Sequence, residues 1–412
     1  MGHPDVRLRT ALAACAAFGA LAGTALAGAT PASGASPTGH GTSIAPGVTY
    51  EQFDIPGAKG PAHAHVLSID LFEAGVRVDL LHPTAVGGRA TISSLADASG
   101  AVGGVNGDFF DITESQHPGV AATGAPVGPA VASGRTLKSA VPDGQRFGPA
   151  LPPGTTTEDV LGVGVDHRAR LDRLALDGTV RANGRSLPLG GLNQYALPVG
   201  SVGAFTSDWG AVSRARATCG TDTDRAAPCS ADTYEVTVRR GRVVSSSTTP
   251  GSGPIASGTT VLVGREAGAR ALRKLWAGEH VKITHRLVAA SSRIPFRFAI
   301  GGYPILRNGV RLRGLDAKTS TVRTAAGITR DGHHLFLLAL DGSRKYRTGL
   351  TIAEVADAIR DLGADDAFSL DGGGSSTLVA RAPGAASVTV RNHPTDAPER
   401  AVADGIGVFA RR

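Results

Sequence analysis

An aspartate that stands directly before three glycines and two serines is the strongest chemical signal in this 412-residue chain. The segment consists of Asp371, Gly372, Gly373, Gly374, Ser375 and Ser376. A carboxylate can stabilise a developing positive charge or transfer a proton, and glycines let the backbone come close to a ligand. Backbone N–H groups and serine hydroxyls can donate hydrogen bonds to an anion such as phosphate. The alternative is that the three glycines form only a flexible turn.

Two strands and a helix must position this segment. Residues 335–340 and 367–370 are short apolar runs that predict buried strands, and each is followed by an aspartate, Asp341 or Asp371. The intervening segment 351–362 begins with a capping-box pattern and has its apolar residues on one helical face. Strand–helix–strand order predicts a right-handed parallel crossover. Such a crossover would bring both aspartates to the sheet edge where α/β folds bind their ligands.

The fold class predicted from these elements is α+β, with a mixed β-sheet, flanking helices and a β-α-β unit that carries residues 371–376. Residues 63–72 and 76–81 predict a hairpin. The region 158–290 is rich in β patterns. The pattern does not decide whether this region is a subdomain or the middle of one sheet.

Four motifs occur in a fixed order, and a Glu399-Arg400 pair follows them near the end of the chain. They are Asn106-Gly107-Asp108-Phe109-Phe110, Gly301-Gly302-Tyr303-Pro304-Ile305-Leu306, Arg323-Thr324-Ala325-Ala326-Gly327, and Asp341-Gly342 with residues 370–376. In this order the motifs resemble the phosphodiester glycosidase family. The resemblance covers roughly residues 60–410, although the region 158–290 matches only in its general β character.

The resemblance implies hydrolysis of the bond between a sugar, such as N-acetylglucosamine, and a phosphodiester. Breaking the sugar C–O bond requires carboxylates that stabilise an oxocarbenium-like centre. The phosphate leaving group requires cationic recognition, to which the planar fork of arginine is suited. Asp371, Asp341 and Asp108 are therefore the candidate catalytic carboxylates. The candidate substrate-binding residues are Asn106, Arg323, Gly372, Gly373, Gly374, Ser375, Ser376, Glu399 and Arg400. No cofactor and no metal site are expected.

Each candidate also has a purely structural alternative, because aspartates and asparagines form turns and arginines commonly lie at strand edges. Two other functions stay open at this point. One is a phosphodiesterase that cleaves the P–O bond, and the other is a non-catalytic protein that binds cell wall or polysaccharide. The expected partner is a small or polymeric glycosyl phosphodiester, such as a component of cell wall or exopolysaccharide.

The composition is that of an ordinary globular protein, with 42% hydrophobic and 19% charged residues, which is enough to form a sizeable core. The net charge of +7 is diffuse and includes no run of basic residues, so a nucleic-acid partner is not expected. After the amino-terminal segment, no apolar run reaches the roughly 18 residues that a membrane-spanning helix requires. The protein is therefore not expected to span a membrane.

The amino-terminal segment predicts export. Two arginines precede an apolar run at 11–22, and an Ala-Leu-Ala cleavage site ends at residue 27. We therefore expect a signal peptide at 1–27, a disordered Ala/Gly/Ser/Thr/Pro-rich linker at 28–46 and a catalytic domain at 47–412. A lipoprotein-like sequence ends at Cys15, but the apolar run continues past it. The expected location is extracellular or associated with the cell wall.

Removal of the signal peptide leaves two cysteines, Cys219 and Cys229. A close pair in an exported protein predicts one disulfide, which should stabilise the fold by roughly 2–3 kcal/mol. A metal site is the less favoured interpretation, because no histidine lies near the pair in the sequence.

Overall fold

The structure is a computed structural model that describes residues 1–2, 41–395 and 399–411. The predicted signal peptide 1–27 therefore lies outside the described residues from residue 3 onward, as does the predicted linker up to residue 40. The first strand begins at Thr42, which lies inside the predicted linker 28–46. Ordered structure therefore begins before the predicted domain boundary at 47.

The described residues form twenty-five strands and three α-helices. The strands are β1 (Thr42–Ala45), β2 (Val48–Gly57), β3 (Gly60–Asp70), β4 (Arg77–Leu81), β5 (Gly103–Asn106), β6 (Ala130–Ala132), β7 (Arg135–Lys138), β8 (Asp159–Gly164), β9 (Ala169–Ala182), β10 (Arg185–Pro188), β11 (Gly191–Leu192), β12 (Val202–Phe205), β13 (Thr233–Arg239), β14 (Arg242–Ser247), β15 (Thr259–Arg265), β16 (Lys282–Ala289), β17 (Phe296–Gly301), β18 (Tyr303–Arg307), β19 (Val310–Arg311), β20 (Thr324–Ile328), β21 (His334–Leu340), β22 (Asp366–Ser369), β23 (Leu378–Arg381), β24 (Val388–Val390) and β25 (Gly405–Phe409). The helices are α1 (Ile92–Ser99), α2 (Ala267–Leu272) and α3 (Ile352–Asp361). The predicted α+β class is therefore wrong, because this is a mostly β protein with short helices packed on antiparallel sheets.

The largest sheet has eight strands in the order β1-β2-β3-β21-β20-β22-β18-β19. The predicted strand–helix–strand segment forms as β21, α3 and β22, but its two strands are not neighbours, because β20 lies between them and pairs antiparallel with both. Since both outer strands run opposite to β20, they still run in the same direction as each other. The aspartates that follow them, Asp341 and Asp371, therefore reach the same edge of the sheet. Residues 324–329 and 333–340 predict a hairpin around the Asp331-Gly332 turn, and the β20–β21 pairing confirms it. The local pattern does not reveal that β22 pairs with β20, because that pairing joins distant segments of the chain.

Helix α3 forms where the sequence predicts a helix. The Thr351 hydroxyl accepts a hydrogen bond from the Glu354 N–H, and the Glu354 carboxylate accepts one from the Thr351 N–H at 2.7 Å, which completes the capping box. The buried helix face packs on β20 at Gly327, where a Cβ atom would lie 2.3 Å from a methyl group of Ile359. This contact fixes the helix that leads into the Asp371 segment.

A second antiparallel sheet, β24-β23-β5-β25-β4, packs against the first. Leu67 of β3 lies against Gly103 of β5, where a Cβ atom would be 2.9 Å from its methyl group. The predicted hairpin of 63–72 and 76–81 is wrong, because β3 and β4 belong to different sheets. The segment between them carries the chain from one layer to the other.

The region 158–290 contributes to two further sheets. One has the order β10-β9-β8-β17-β6-β7 with β16 paired to β9, and the other has the order β11-β12-β15-β13-β14. Within the described residues, β11 and β12 form the one parallel pair of named strands. The region has an apolar cluster of its own around Leu262, but β8 also pairs with β17 outside it. It is thus interleaved with the rest of the fold. None of the described helices has the length and apolar character needed to cross a membrane.

Candidate active site

The candidate site lies where strand ends from the two packed sheets meet. Asn106 ends β5, Thr324 begins β20, Asp371 follows β22, and Asp404 directly precedes β25. Antiparallel neighbours bring strand beginnings and strand ends to one edge, so four distant chain segments converge there.

Asn106 ties these segments together. Its amide nitrogen donates to the Asp371 carbonyl at 2.7 Å, and its amide oxygen accepts from the Thr324 hydroxyl at 2.8 Å and the Thr377 N–H at 3.0 Å. The side chain is fully buried. Asn106 therefore positions the turn that carries Asp371, although the sequence suggested that it contacts substrate.

Asp371 is the candidate catalytic carboxylate that remains partly exposed. Its Oδ1 accepts from the Gly372 N–H at 3.0 Å, and its own N–H donates to the Gly107 carbonyl at 2.9 Å. Burial raises the pKa of Asp371 to about 6; the Ser375 hydrogen bond, the Gly372 N–H and the positive charge of Arg400 oppose this shift. Asp371 thus combines partial exposure of the residue with a raised carboxyl pKa.

The glycines after Asp371 shape a tight turn. Residues 373–375 form one 3₁₀ turn, and Gly373 has a positive φ of 59°. The Gly373 N–H donates to the Val322 carbonyl at 2.7 Å. Together with the Gly372 N–H, this donor is used inside the protein, so neither is oriented toward a ligand.

The two serines are also engaged within the protein. Arg400 donates from Nη1 to the Ser375 hydroxyl at 3.2 Å, and Ser375 in turn hydrogen-bonds Asp371. The Ser376 hydroxyl accepts from Thr324 at 3.1 Å. Ser375 therefore links the predicted arginine to the predicted carboxylate, whereas Ser376 belongs to the packing behind them.

Arg323 is buried behind the turn. It donates from Nη2 to the Thr319 carbonyl at 2.8 Å and from Nε to the Leu350 carbonyl at 3.3 Å. A Cβ atom at Gly372 would lie 3.7 Å from its Cδ atom. Arg323 thus lies beside the glycine turn, but two of its donors already have backbone acceptors.

Glu399 lies outside this group of residues. Its carboxylate accepts from the Ser93 N–H at 3.0 Å and from the Ser93 hydroxyl at 2.5 Å. Ser93 is in the first turn of α1, so Glu399 stabilises the positive end of that helix dipole. The adjacent residue, Arg400, is the one that reaches the site.

Asp108 forms a buried carboxyl pair with Asp404, which the sequence did not suggest. The Asp108 N–H donates to Asp404 Oδ1 at 2.8 Å, and each residue is 2% exposed. Both oxygens of Asp108 accept backbone hydrogen bonds, from Phe109 at 2.8 Å and Gly128 at 2.5 Å. Burial raises the pKa of both carboxyls, and the charge of Asp108 raises that of Asp404 further.

Lys138 lies close to this pair and is fully buried. Its Nζ donates to the carbonyls of Val127 at 3.1 Å, Ser139 at 2.6 Å and Gly128. Burial lowers the pKa of Lys138 to about 7, while the carboxyls of the buried pair oppose that shift. No motif marks this lysine in the sequence, whereas the Asp-Gly pair at 404–405 repeats the pattern of the predicted aspartates.

Two motif glycines are explained by the buried pair. A Cβ atom at Gly107 would lie 2.3 Å from Asp404 Oδ1, and one at Gly301 would lie 2.4 Å from Asp108 Oδ2. Side chains at these positions would displace the carboxyls. The glycines therefore permit close approach of the backbone to the acidic pair.

Asp341 reaches the same sheet edge but has different partners. Its carboxylate accepts from the Ser343 N–H at 2.7 Å and contacts His393 Nδ1 at 3.0 Å. The Asn392 amide donates to the carbonyls of Leu340 at 3.2 Å and Ser376 at 2.8 Å, which connects this group to the glycine turn. In the described residues, the side-chain hydrogen bonds of Asp341 do not include Asp371.

The predicted disulfide between Cys219 and Cys229 is confirmed. The fold also brings His117 within 4.8 Å of both sulfur atoms, which the sequence did not suggest. The sulfurs are bonded to each other, and the His117 ring contacts the Glu114 carboxylate at 2.5 Å and the Ala227 carbonyl at 2.8 Å. This group is therefore a structural cluster.

Comparison with known proteins confirms the resemblance. Residues 232–409 match the family model for phosphodiester glycosidase. A sequence search of curated proteins found no match. The match includes Arg323, Asp341, Asp371, Arg400 and Asp404, whereas Asn106, Asp108 and Lys138 precede it.

Solved structures indicate a shared fold. A protein from Synechocystis matches with a TM-score of 0.67 and 20% identity over 89% of this chain and 62% of that one. This chain thus spans less than two thirds of the Synechocystis protein. A protein from Burkholderia pseudomallei matches with a TM-score of 0.64 and 24% identity over 86% of this chain and 75% of that one. The catalytic domain of zebrafish N-acetylglucosamine-1-phosphodiester alpha-N-acetylglucosaminidase gives a TM-score of 0.43 and 15% identity over 90% and 86% of the two chains, a score too low to compare their architectures.

Proposed function

From the phosphodiester glycosidase match over residues 232–409, we propose that the protein is an exported hydrolase that cleaves an N-acetylglucosamine-like sugar from a phosphodiester. The substrate would be a glycosyl phosphodiester of a cell wall or exopolysaccharide. The disulfide supports export, because such bonds persist mainly outside the reducing cytoplasm.

The observation that carries this proposal is the position of Asp371. It is partly exposed, while Asp108 and Asp341 are 2% and 3% exposed and bound to other groups. A carboxylate at this position can stabilise the positive charge that develops on the anomeric carbon. Asp371 is therefore assigned that catalytic role.

Arg400 is assigned to the phosphate. It lies beside Ser375 and within electrostatic reach of Asp371, so a phosphate bound there would lie next to the reacting carbon. A phosphomonoester leaving group is weakly basic and needs little proton donation. Charge-assisted hydrogen bonds from arginine to the phosphate can therefore stabilise the leaving group with little need for a general acid.

The remaining predicted residues are assigned to positioning. Asn106 fixes the backbone at Asp371, and Arg323 supports the glycine turn from behind. The buried Asp108 contributes electrostatically, because its charge raises the pKa of Asp371. With a pKa of about 6, Asp371 is mainly ionised at pH 7, which is the form that stabilises a positive charge.

The proposal is tested by assaying the wild-type protein and Asp371→Asn on N-acetylglucosamine 1-phosphate methyl ester. Wild type should release N-acetylglucosamine, and the variant should lose at least about 100-fold in kcat, equivalent to roughly 2.7 kcal/mol of transition-state stabilisation. Asp361→Asn is the matched control, because the Asp361 side chain is 71% exposed at the end of α3. It should retain full activity.

The melting temperature distinguishes catalysis from folding in this experiment. Asn fits the same turn, so the Asp371→Asn protein should melt at or above the wild-type temperature at pH 7. A folded variant with near-normal turnover would remove Asp371 from the mechanism. A folded wild-type protein that releases no sugar from glycosyl phosphodiesters would refute the proposed function.

A further inference from the structure

Arg146 is a buried arginine beside the candidate active site. Its side chain is 9% exposed, and its guanidinium carbon lies 5.1 Å from the ring centroid of Phe109 and 5.6 Å from that of Tyr303. Burial lowers the pKa of Arg146, and the charge of Asp108 opposes that shift. Asp108 also acts electrostatically on Asp371, so both side chains lie close to one buried carboxyl.

The hydrogen-bond donors of Arg146 are incompletely used. Within the described part of the chain, its Nε and Nη1 atoms are buried and have no acceptor. An unpaired buried donor costs free energy that an arriving acceptor would recover. Arg323, in contrast, donates to two backbone carbonyls, and Arg400 donates to Ser375. Arg146 is thus an arginine near the carboxylates with two donors that have no acceptor in the described residues.

A cavity of about 400 Å³ adjoins Arg146. Besides Arg146, its lining comprises Asp143, Gly144 and residues 148–155. Three prolines in that segment stiffen the wall and give it an apolar surface. The acidic member, Asp143, accepts from the Thr157 N–H at 2.8 Å and the Thr157 hydroxyl at 3.0 Å, so the protein itself partly satisfies this carboxylate.

The disulfide loop 219–229 holds the Arg146 segment in place. The Arg225 side chain donates to the Arg146 carbonyl at 2.6 Å. The Gly144 N–H donates to the Asp222 carbonyl at 3.0 Å, and the Gln145 amide donates to the Thr221 carbonyl at 2.5 Å. Arg146 therefore ends a three-residue segment that hydrogen bonds hold against the disulfide loop, as a preorganised ligand group requires.

We propose that Arg146 binds the phosphate of the substrate and that the group esterified on the side away from the sugar lies in the adjoining cavity. This inference rests on the proposed function, because it places the two ends of a phosphodiester on opposite sides of Arg146. The guanidinium fork matches phosphate oxygens, and the proline-rich wall suits an alcohol with an apolar face. Phosphodiesters are thus preferred over sugar phosphates that lack the second ester group.

Calorimetric titration with inorganic phosphate tests the phosphate contact without requiring turnover. Arg146→Gln should weaken phosphate binding at least about tenfold. Arg146→Lys keeps the charge but loses the guanidinium fork, so its phosphate affinity should lie between those of wild type and Arg146→Gln. Arg330→Gln is the matched control, because the Arg330 side chain is 82% exposed and pairs with Asp365. It should bind phosphate as wild type does, and circular dichroism should confirm that each variant is folded.

A phosphate-soaked crystal of the wild-type protein provides a readout that does not depend on variant folding. Phosphate should lie within hydrogen-bond distance of the Arg146 guanidinium. Phosphate bound at Arg400 or Arg323 without contact to Arg146, or unchanged affinity in both Arg146 variants, would overturn the inference. So would a wild-type protein that binds no phosphate at millimolar concentration.

These outcomes are separable from failure of the proposed function. If Arg146→Gln loses phosphate binding but the wild-type protein hydrolyses no glycosyl phosphodiester, the anion site is supported and the proposed activity is refuted. If the wild-type protein hydrolyses the substrate but both Arg146 variants bind phosphate as wild type does, the proposed activity is supported and the anion site at Arg146 is refuted.

Discussion

Asp371 differs from Asp108 and Asp404 in its exposure to solvent. It is partly exposed, yet burial raises its pKa to about 6. Asp108 and Asp404 are buried as a pair, and their hydrogen bonds hold the backbone of the glycine motifs. The acidic residues thus divide into one partly exposed carboxyl, to which the proposed function assigns the substrate contact, and a buried pair whose charge acts on it.

The raised pKa of Asp371 predicts a specific pH dependence of stability. An ordinary aspartate has a pKa of 3.8, so between pH 4 and 6 the folded state holds this proton more tightly than the unfolded state does. The stabilisation is complete below pH 4 and is lost as pH rises through about 6. Asp371→Asn lacks this loss, so its stability relative to wild type should increase from pH 4.5 to pH 7.5.

Denaturant unfolding of both proteins at these two pH values measures the effect. Asp361→Asn carries the same change in net charge at an exposed position and corrects for it. A difference between Asp371→Asn and wild type that is equal at both pH values would mean that the carboxyl titrates normally.

The sequence indicated some residues of the site and missed others for a physical reason. Asp371 and Arg400 stand in motifs, and local chemistry such as a glycine turn after a strand marks them. Lys138 and Arg146 stand alone in unremarkable segments, and only burial against distant carboxyls gives them their character. This burial depends on the whole fold, so no local sequence pattern predicts it.

Elements were predicted well where their signals are local. The capping box and apolar face of α3 lie within twelve residues, and the helix forms as expected. The two strands of the predicted crossover are parallel but not adjacent, because β20, earlier in the chain, lies between β21 and β22. Asp371 still lies at the predicted edge of the sheet, because one antiparallel strand between β21 and β22 leaves these two strands parallel to each other.

The disulfide loop 219–229 supports the segment that carries Arg146, the proposed phosphate ligand. Replacing Cys219 and Cys229 with serine should lower the free energy of unfolding by roughly 2–3 kcal/mol, because a ten-residue separation closes a short loop. The variant should also show a higher KM at a nearly unchanged kcat, since residues 221–225 hold the Arg146 segment but do not contact Asp371.

Denaturant unfolding and steady-state kinetics measure these two effects. A reductant should bring wild type to the behaviour of the double variant and leave the double variant unaffected. Equal stability and equal KM in the oxidised wild type and the variant would show that the loop supports neither the fold nor the site.

At the scale of the whole molecule, the site joins two packed sheets and two parts of the chain. Arg323, Asp371 and Arg400 lie within residues 232–409, which match the family, while Asp108 and Arg146 come from the preceding half. Asp108 thus comes together with Asp371 and Asp404 only when both parts of the chain fold together. A fragment limited to the matched residues would lack the buried pair and the Arg146 cavity.

The proposed hydrolase breaks the bond between the anomeric carbon of the sugar and the bridging oxygen of the phosphodiester. Hydrolysis of N-acetylglucosamine 1-phosphate methyl ester in water enriched in oxygen-18 tests it directly, with mass spectrometry of both products. Attack at the anomeric carbon, stabilised by Asp371, predicts the label in the released N-acetylglucosamine and none in methyl phosphate. Label in the phosphate product would show P–O cleavage and contradict the account.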